Sequence, residues 1–122
     1  MTKKFFLTIS FIFLCFISKA QQQQFYTGFL DDYSVEAEIT WNANKTINGS
    51  YSLTRGVYWA EFNISGNNYV DGKIKIDVFF DGRRTGGGTL NKTLKNKIIV
   101  WSGDIINNDG SRSYIVLNRS RR

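Results

Sequence analysis

Side chains able to do covalent or metal chemistry are scarce in this chain. There is no histidine among its 122 residues, and Cys15 is the single cysteine. Without imidazole the chain lacks the usual general base at neutral pH and the commonest metal ligand. Cys15 sits inside an apolar run, where it reads as a soft hydrophobe rather than a nucleophile or zinc ligand. What remains is carboxylate chemistry. Glu36 and Glu38 would share one face of a strand, about 7 Å apart by strand rise. That spacing falls in the roughly 6.5–9.5 Å range of inverting glycosidases and above the retaining range of about 5–5.5 Å. The same pair arises on any polar strand face. Asp31, Asp32, Asp71 and Asp81 could supply oxygen ligands to calcium, but no loop alternates its acids as an EF-hand does, so they read as turn residues. No cofactor is implied.

Recognition chemistry is better supplied. Arg83 and Arg84 precede Gly86-Gly87-Gly88. No Gly-Lys-Ser or Gly-Lys-Thr follows, so the stretch is read as a flexible or bulged hairpin rather than a phosphate loop. Its two guanidinium groups could still form paired hydrogen bonds to a carboxylate, sulfate or phosphate. Arg112 is a third candidate of this kind. Trp59 falls on the polar side of its strand pattern, where a large ring could stack on a sugar or line a ligand mouth. Trp41 and Trp101 each complete an apolar alternation and read as core anchors.

These residues must be carried by strands. Val35, Ala37, Ile39 and Trp41 alternate with Ser34, Glu36, Glu38 and Thr40. Ile74, Ile76, Val78 and Phe80 alternate with Lys73, Lys75 and Asp77, and Tyr58, Ala60, Phe62 and Ile64 with Trp59, Glu61, Asn63 and Ser65. A period of two with one apolar face is the pattern of a half-buried strand. Further strands are predicted over 25–30, 47–54, 89–94, 98–106 and 113–119. Turn chemistry separates them: Asn42 to Lys45, Arg55-Gly56, Asn67-Asn68 with Asp71-Gly72, Asp81-Gly82, Lys95-Asn96, and Asn107 to Gly110. About eight strands in sequence order, with no stripe of helical period and no proline, predict an all-β antiparallel up-and-down meander. A closed barrel is favoured over a two-sheet sandwich because closure removes exposed edges.

Residues 1–20 read as a secretory signal peptide: Lys3 and Lys4, an apolar run from Phe5 to Ile17, and small residues before a cut after Ala20. The run is shorter than a membrane span, and bulky Phe13 and Leu14 before Cys15 argue against lipid attachment. The expected product is secreted or periplasmic and free of cysteine. In it, 21–24 form a frayed N-terminus, 25–119 a single β domain and 120–122 a basic tail. The formal charge of +6 falls to +3 without the leader, with 13 basic and 10 acidic residues. Residues 21–82 carry −4 and residues 83–122 carry +7. This asymmetry points to a basic face for an anionic partner, provided that charges close in sequence stay close in space. Asn44, Asn48, Asn63, Asn91 and Asn118 head Asn-x-Ser/Thr sites, which matter only in a eukaryotic secretory pathway. The Lys, Asn, Ile and Phe richness favours a bacterial source.

Two stretches resemble the avidin-type β-barrel, an eight-strand meander that binds biotin. Gly49-Ser50-Tyr51 resembles part of its third strand, and Trp101-Ser102-Gly103 resembles the Trp-Ser-Gly of its seventh. The resemblance covers six residues, and the family's other tryptophans have no counterparts here. It implies that Tyr51 would hydrogen-bond a ligand's polar head and that Trp101 would wall its apolar part.

The expected function is that of a non-catalytic binding or interaction module. The candidate site residues are Trp59, Tyr51, Trp101, Arg83, Arg84 and Arg112. The partner would be a glycan, another anionic surface or a protein, with no role for nucleic acid and no transmembrane segment in the mature chain. Two alternatives stand beside it: an envelope-structural or inhibitory protein acting through a protein interface, and a glycan hydrolase using Glu36 and Glu38.

Overall fold

The computed structural model describes residues 21–69 and 71–120, so the leader and the last two arginines lie outside the described residues. Eight strands follow in chain order: β1 (Gln22–Leu30), β2 (Tyr33–Trp41), β3 (Thr46–Arg55), β4 (Tyr58–Tyr69), β5 (Lys73–Phe80), β6 (Arg83–Lys95), β7 (Ile98–Asn107) and β8 (Arg112–Arg119). Each pairs antiparallel with its neighbour in sequence, and β1 pairs with β8 to close the barrel. The closing seam runs from Tyr26↔Arg119 to Leu30↔Ile115. The predicted all-β meander and closed barrel are thus the observed fold, with no helix among the described residues.

Alternation determines the interior. Val35, Ala37 and Ile39 of β2, Ile74, Ile76 and Val78 of β5, and Ile115 and Leu117 of β8 are buried in one core with Tyr26, Ile47, Tyr51, Ile64, Leu90 and Trp101. Glu36, Glu38, Glu61, Lys73, Lys75 and Asp104 stand on the opposite, exposed face. A transmembrane barrel has the inverse arrangement, with an apolar band outside. No helix among the described residues is long and apolar enough to cross a membrane.

Several strand limits differ from the sequence reading. Gln22 to Gln24, expected to fray, pair with Trp41, Thr40 and Ile39 and form the first part of β1. Backbone pairing does not depend on side-chain polarity, and β2 offers a long edge for them. Asn67 and Asn68 lie inside β4, opposite Lys75 and Ile74, rather than in a turn. The Gly86-Gly87-Gly88 segment is strand, not a flexible loop. It pairs with Val78, Asp77 and Ile76 on one side and with Asn107, Ile106 and Ile105 on the other. A bulge does occur beside it, where the register shifts between Val78 and Phe79. The β6–β7 turn is Asn96-Lys97, both at positive φ, one residue later than predicted.

Glycine on the inner face permits the tight closure. A Cβ at Gly28, Gly49, Gly66, Gly88 or Gly103 would lie within 1.8–2.3 Å of a carbonyl oxygen on the neighbouring strand. No side chain fits at that separation. The strands bend across one another at these points, as a small barrel requires.

The meander gives the barrel two unlike ends. One end, here the turn end, carries the β1–β2, β3–β4, β5–β6 and β7–β8 turns. The other, the terminal end, carries the three remaining turns, the start of β1 and the end of β8.

Candidate functional site

The terminal end opens into a cavity of about 380 Å³ lined by Gln22, Gln24, Tyr26, Trp41, Gly72, Lys92, Ile99 and Trp101. Its walls come from strands that end here with an inward-facing aromatic. Trp41 is the last residue of β2 and Trp101 lies four residues into β7. Their rings lie 5.6 Å apart, tilted by 32°. Trp101 is 4% exposed, whereas Trp41 is only partly buried. Both indoles are thus anchors, as the alternation predicted, and both also border the cavity.

Tyr26 forms part of the floor. Its hydroxyl donates to Gln24 Oε1 at 2.7 Å. Burial raises its pKa above the ordinary phenol value, while the Trp101 and Trp41 indoles and the Arg119 guanidinium pull it down. Trp41 Nε1 is nevertheless buried without a hydrogen-bond partner of its own among the described residues. A buried donor left this way costs about 1–3 kcal/mol.

The electrostatics of this end are one-sided. Lys45, Lys73, Lys92, Lys95, Lys97 and Arg119 all belong to its turns or strand ends, against Asp71 alone among the acidic side chains of the described residues. Lys92 faces Trp101 across the β6–β7 ladder and lines the cavity, while its backbone N–H is held by Gly72 O at 2.7 Å. Arg119 lies with its guanidinium carbon 6.0 Å from the centre of the Tyr26 ring.

The turn end differs in both chemistry and shape. Apart from Leu94 and Ile98, every exposed large hydrophobic among the described residues belongs to it, including Trp59 at 62% exposure, Tyr58 and Tyr114. Its cations are arginines. Arg84 Nε donates to Asp77 Oδ1 at 2.9 Å, and Arg84 also hydrogen-bonds Asn108. Arg55 lies 3.9 Å from Asp32, and Arg83 and Arg112 are exposed. Gly87 explains the position of Arg84, since a Cβ there would meet the guanidinium at 2.6 Å. Trp59 borders two open grooves. One runs over Glu36, Glu38, Ser50, Ser52 and Glu61 on the outer wall with about 200 Å³ of space, and the other, of about 430 Å³, lies beside Phe80 and Asp81.

The six candidate residues from the sequence are therefore dispersed. Trp59, Arg83, Arg84 and Arg112 share the turn end but lie on non-adjacent strands β4, β6 and β8, and Trp101 lies at the terminal mouth. Tyr51 is in the core, 4% exposed and stacked on Phe62 with ring centres 5.2 Å apart. Tyr51 and Trp101, paired by the avidin resemblance, do not border a common cavity. Asp71 is at the opposite end from Asp31, Asp32 and Asp81, and no cluster of three potential metal-ligating side chains occurs among the described residues. Sequence reasoning missed Gln22, Gln24, Tyr26, Ile99 and Lys92 as mouth residues. Trp41 carried a signal, as an aromatic closing an alternating strand. Lys92, in a run of polar residues, carried none.

The chain matches no protein-family model, no curated protein and no solved structure.

Proposed function

We propose that this protein is a small non-catalytic binding module, acting after export in the periplasm or outside the cell, whose ligand enters the terminal mouth of the barrel. The observation that carries this reading is the cavity itself. About 380 Å³ of concave space combines two indoles, a phenol and Ile99 with a few polar groups, the composition typical of small-ligand sites. The inner face elsewhere is filled by side chains, so a ligand would be held at the rim rather than in a channel. Lys92 is exposed and lines the mouth, so Lys92→Trp should fill it without disturbing the core. A fragment library screened by ligand-observed NMR should give binders that Lys92→Trp abolishes and Trp59→Ala leaves unchanged. Binders indifferent to Lys92→Trp would place the site elsewhere.

A second reading rests on the turn end, where exposed aromatics and arginines coincide. That is the composition of protein–protein contact surfaces, which favour Trp, Tyr and Arg over Lys. An envelope-structural or inhibitory role through a protein partner would use Trp59, Tyr58, Arg83 and Arg112. Carboxylate hydrolysis is less well supported. Glu36 and Glu38 are both exposed on the outer wall, whereas a glycosidase acid keeps its proton by sitting in an apolar pocket.

A further inference from the structure

The polar groups of the mouth indicate a chemical class of ligand, an inference that rests on the mouth being the binding site. Two donors lack a strong partner. Lys92 has no carboxylate partner among the described residues, and Trp41 Nε1, directed at the Tyr26 hydroxyl, makes no well-formed hydrogen bond there. Gln24 uses its oxygen to accept the Tyr26 proton, which leaves its amide N–H groups to face a ligand. Tyr26 has spent its proton in the same bond. No acidic side chain lines the cavity, so a cationic head group would find no counter-charge there. A ligand that supplies acceptors satisfies the mouth, and one that supplies donors does not. Its body must be apolar and flat enough to lie against Trp41, Trp101 and Ile99.

We infer that the mouth takes small ring-bearing carboxylates, with the acid group received by Lys92 and the Gln24 amide, and the ring held against the Trp41 and Trp101 indoles. Charge assistance strengthens each of these hydrogen bonds, and the surplus of lysines around the opening draws an anion towards it. Neutral rings of the same shape bind more weakly. Rings bearing an ammonium group bind weakest, because Lys92 and Arg119 repel them.

The test compares naphthoate, its neutral amide and naphthylmethylamine on the same folded protein by calorimetry, with backbone and indole N–H NMR spectra locating the site. Naphthoate should bind about tenfold or more tighter than the amide, consistent with a charge-assisted hydrogen bond. The amine should be weakest, and the Trp41 and Trp101 indole resonances should move with each ring that binds. Lys92→Met, at an exposed position, should remove that preference. Trp41→Phe, which trims the ring wall, should weaken naphthoate and its amide alike. If the amide binds as tightly as the acid, or Lys92→Met keeps the preference, the carboxylate class is wrong while the mouth remains the site. If none of the three probes moves the mouth resonances although fragments still bind at the turn end, the reading of the mouth fails with it.

Discussion

Single residues in this barrel carry two kinds of information, and burial separates them. Tyr51 is the clearest case. Its hydroxyl gives it the appearance of a recognition residue in the sequence, and the avidin resemblance assigns it that role. In the fold it stacks on Phe62 inside the core, and burial holds its pKa far above the ordinary 10.0. The stability consequence follows from proton linkage. Below pH 10 Tyr51 is protonated in both folded and unfolded chains and contributes no pH dependence. Above it the unfolded chain ionises while the folded chain cannot, so stability falls by about 1.4 kcal/mol per pH unit from this residue. Tyr51→Phe should therefore flatten the alkaline limb of a urea-midpoint profile and leave the midpoint near neutrality within about 1 kcal/mol. An unchanged alkaline slope would mean that Tyr51 ionises freely in the folded protein. The mouth shows the converse failure of legibility. Trp41 and Trp101 were recognisable as inward anchors because they extend apolar alternation. Tyr26, Gln22 and Gln24 were not, because a run of four glutamines masks strand periodicity. Lys92 owes its place to the pairing of β6 with β7, which no local pattern encodes.

At the scale of the element, the glycines separate what pattern can and cannot reveal. Gly86-Gly87-Gly88 has the poorest strand propensity in the chain, and by composition it reads as a loop. Neighbours override propensity here. Both flanking strands approach so closely that only a residue without Cβ fits, and a bulge at the Val78/Phe79 register shift adds to the bend. The hydrophobic alternation of β2 and β5 was legible because half-buried strands impose it directly. The bend was legible only in hindsight, as glycine recurring at inward positions of five strands. Gly88 gives the sharpest test, since a Cβ there would lie 2.0 Å from Asp104 O, a backbone atom that cannot rotate away. Gly88→Ala should destabilise by about 2–4 kcal/mol, the cost of forcing two paired strands apart in a packed core. Thermal or urea unfolding measures it. A loss below about 0.5 kcal/mol would show that the strands can part without strain and that closure does not depend on this glycine.

For the whole molecule, closure explains both the division of function between the ends and the failure of charge to follow sequence. The +7 of the last forty residues seemed to mark one basic face, yet a meander sends alternate turns to opposite ends. The barrel accordingly puts Arg83, Arg84 and Arg112 at the turn end and Lys92, Lys95 and Lys97 at the terminal end. β1 starts and β8 ends at that same terminal end, where Ser120 N donates to Phe25 O at 2.8 Å. Antiparallel β1 and β8 are thus related as any two hairpin strands are, except that no turn joins them. In a closed barrel without edges, which hairpin is left open should matter little. A circular permutant that links Ser120 to Gln22 through a short Gly/Ser linker and opens the chain between Asn96 and Lys97 keeps every pairing. It also relieves Asn96 and Lys97 of their positive φ. It should unfold in one cooperative transition and retain the Trp41 and Trp101 environment in near-ultraviolet dichroism. A permutant that stays collapsed but loses that signal would show that the β6–β7 hairpin, rather than closure itself, organises the barrel. The mouth provides an independent reading of the same question, because Lys92 precedes the cut and Ile99 follows it. Naphthoate binding that survives permutation would mean that pairing alone, without the covalent turn, positions both walls.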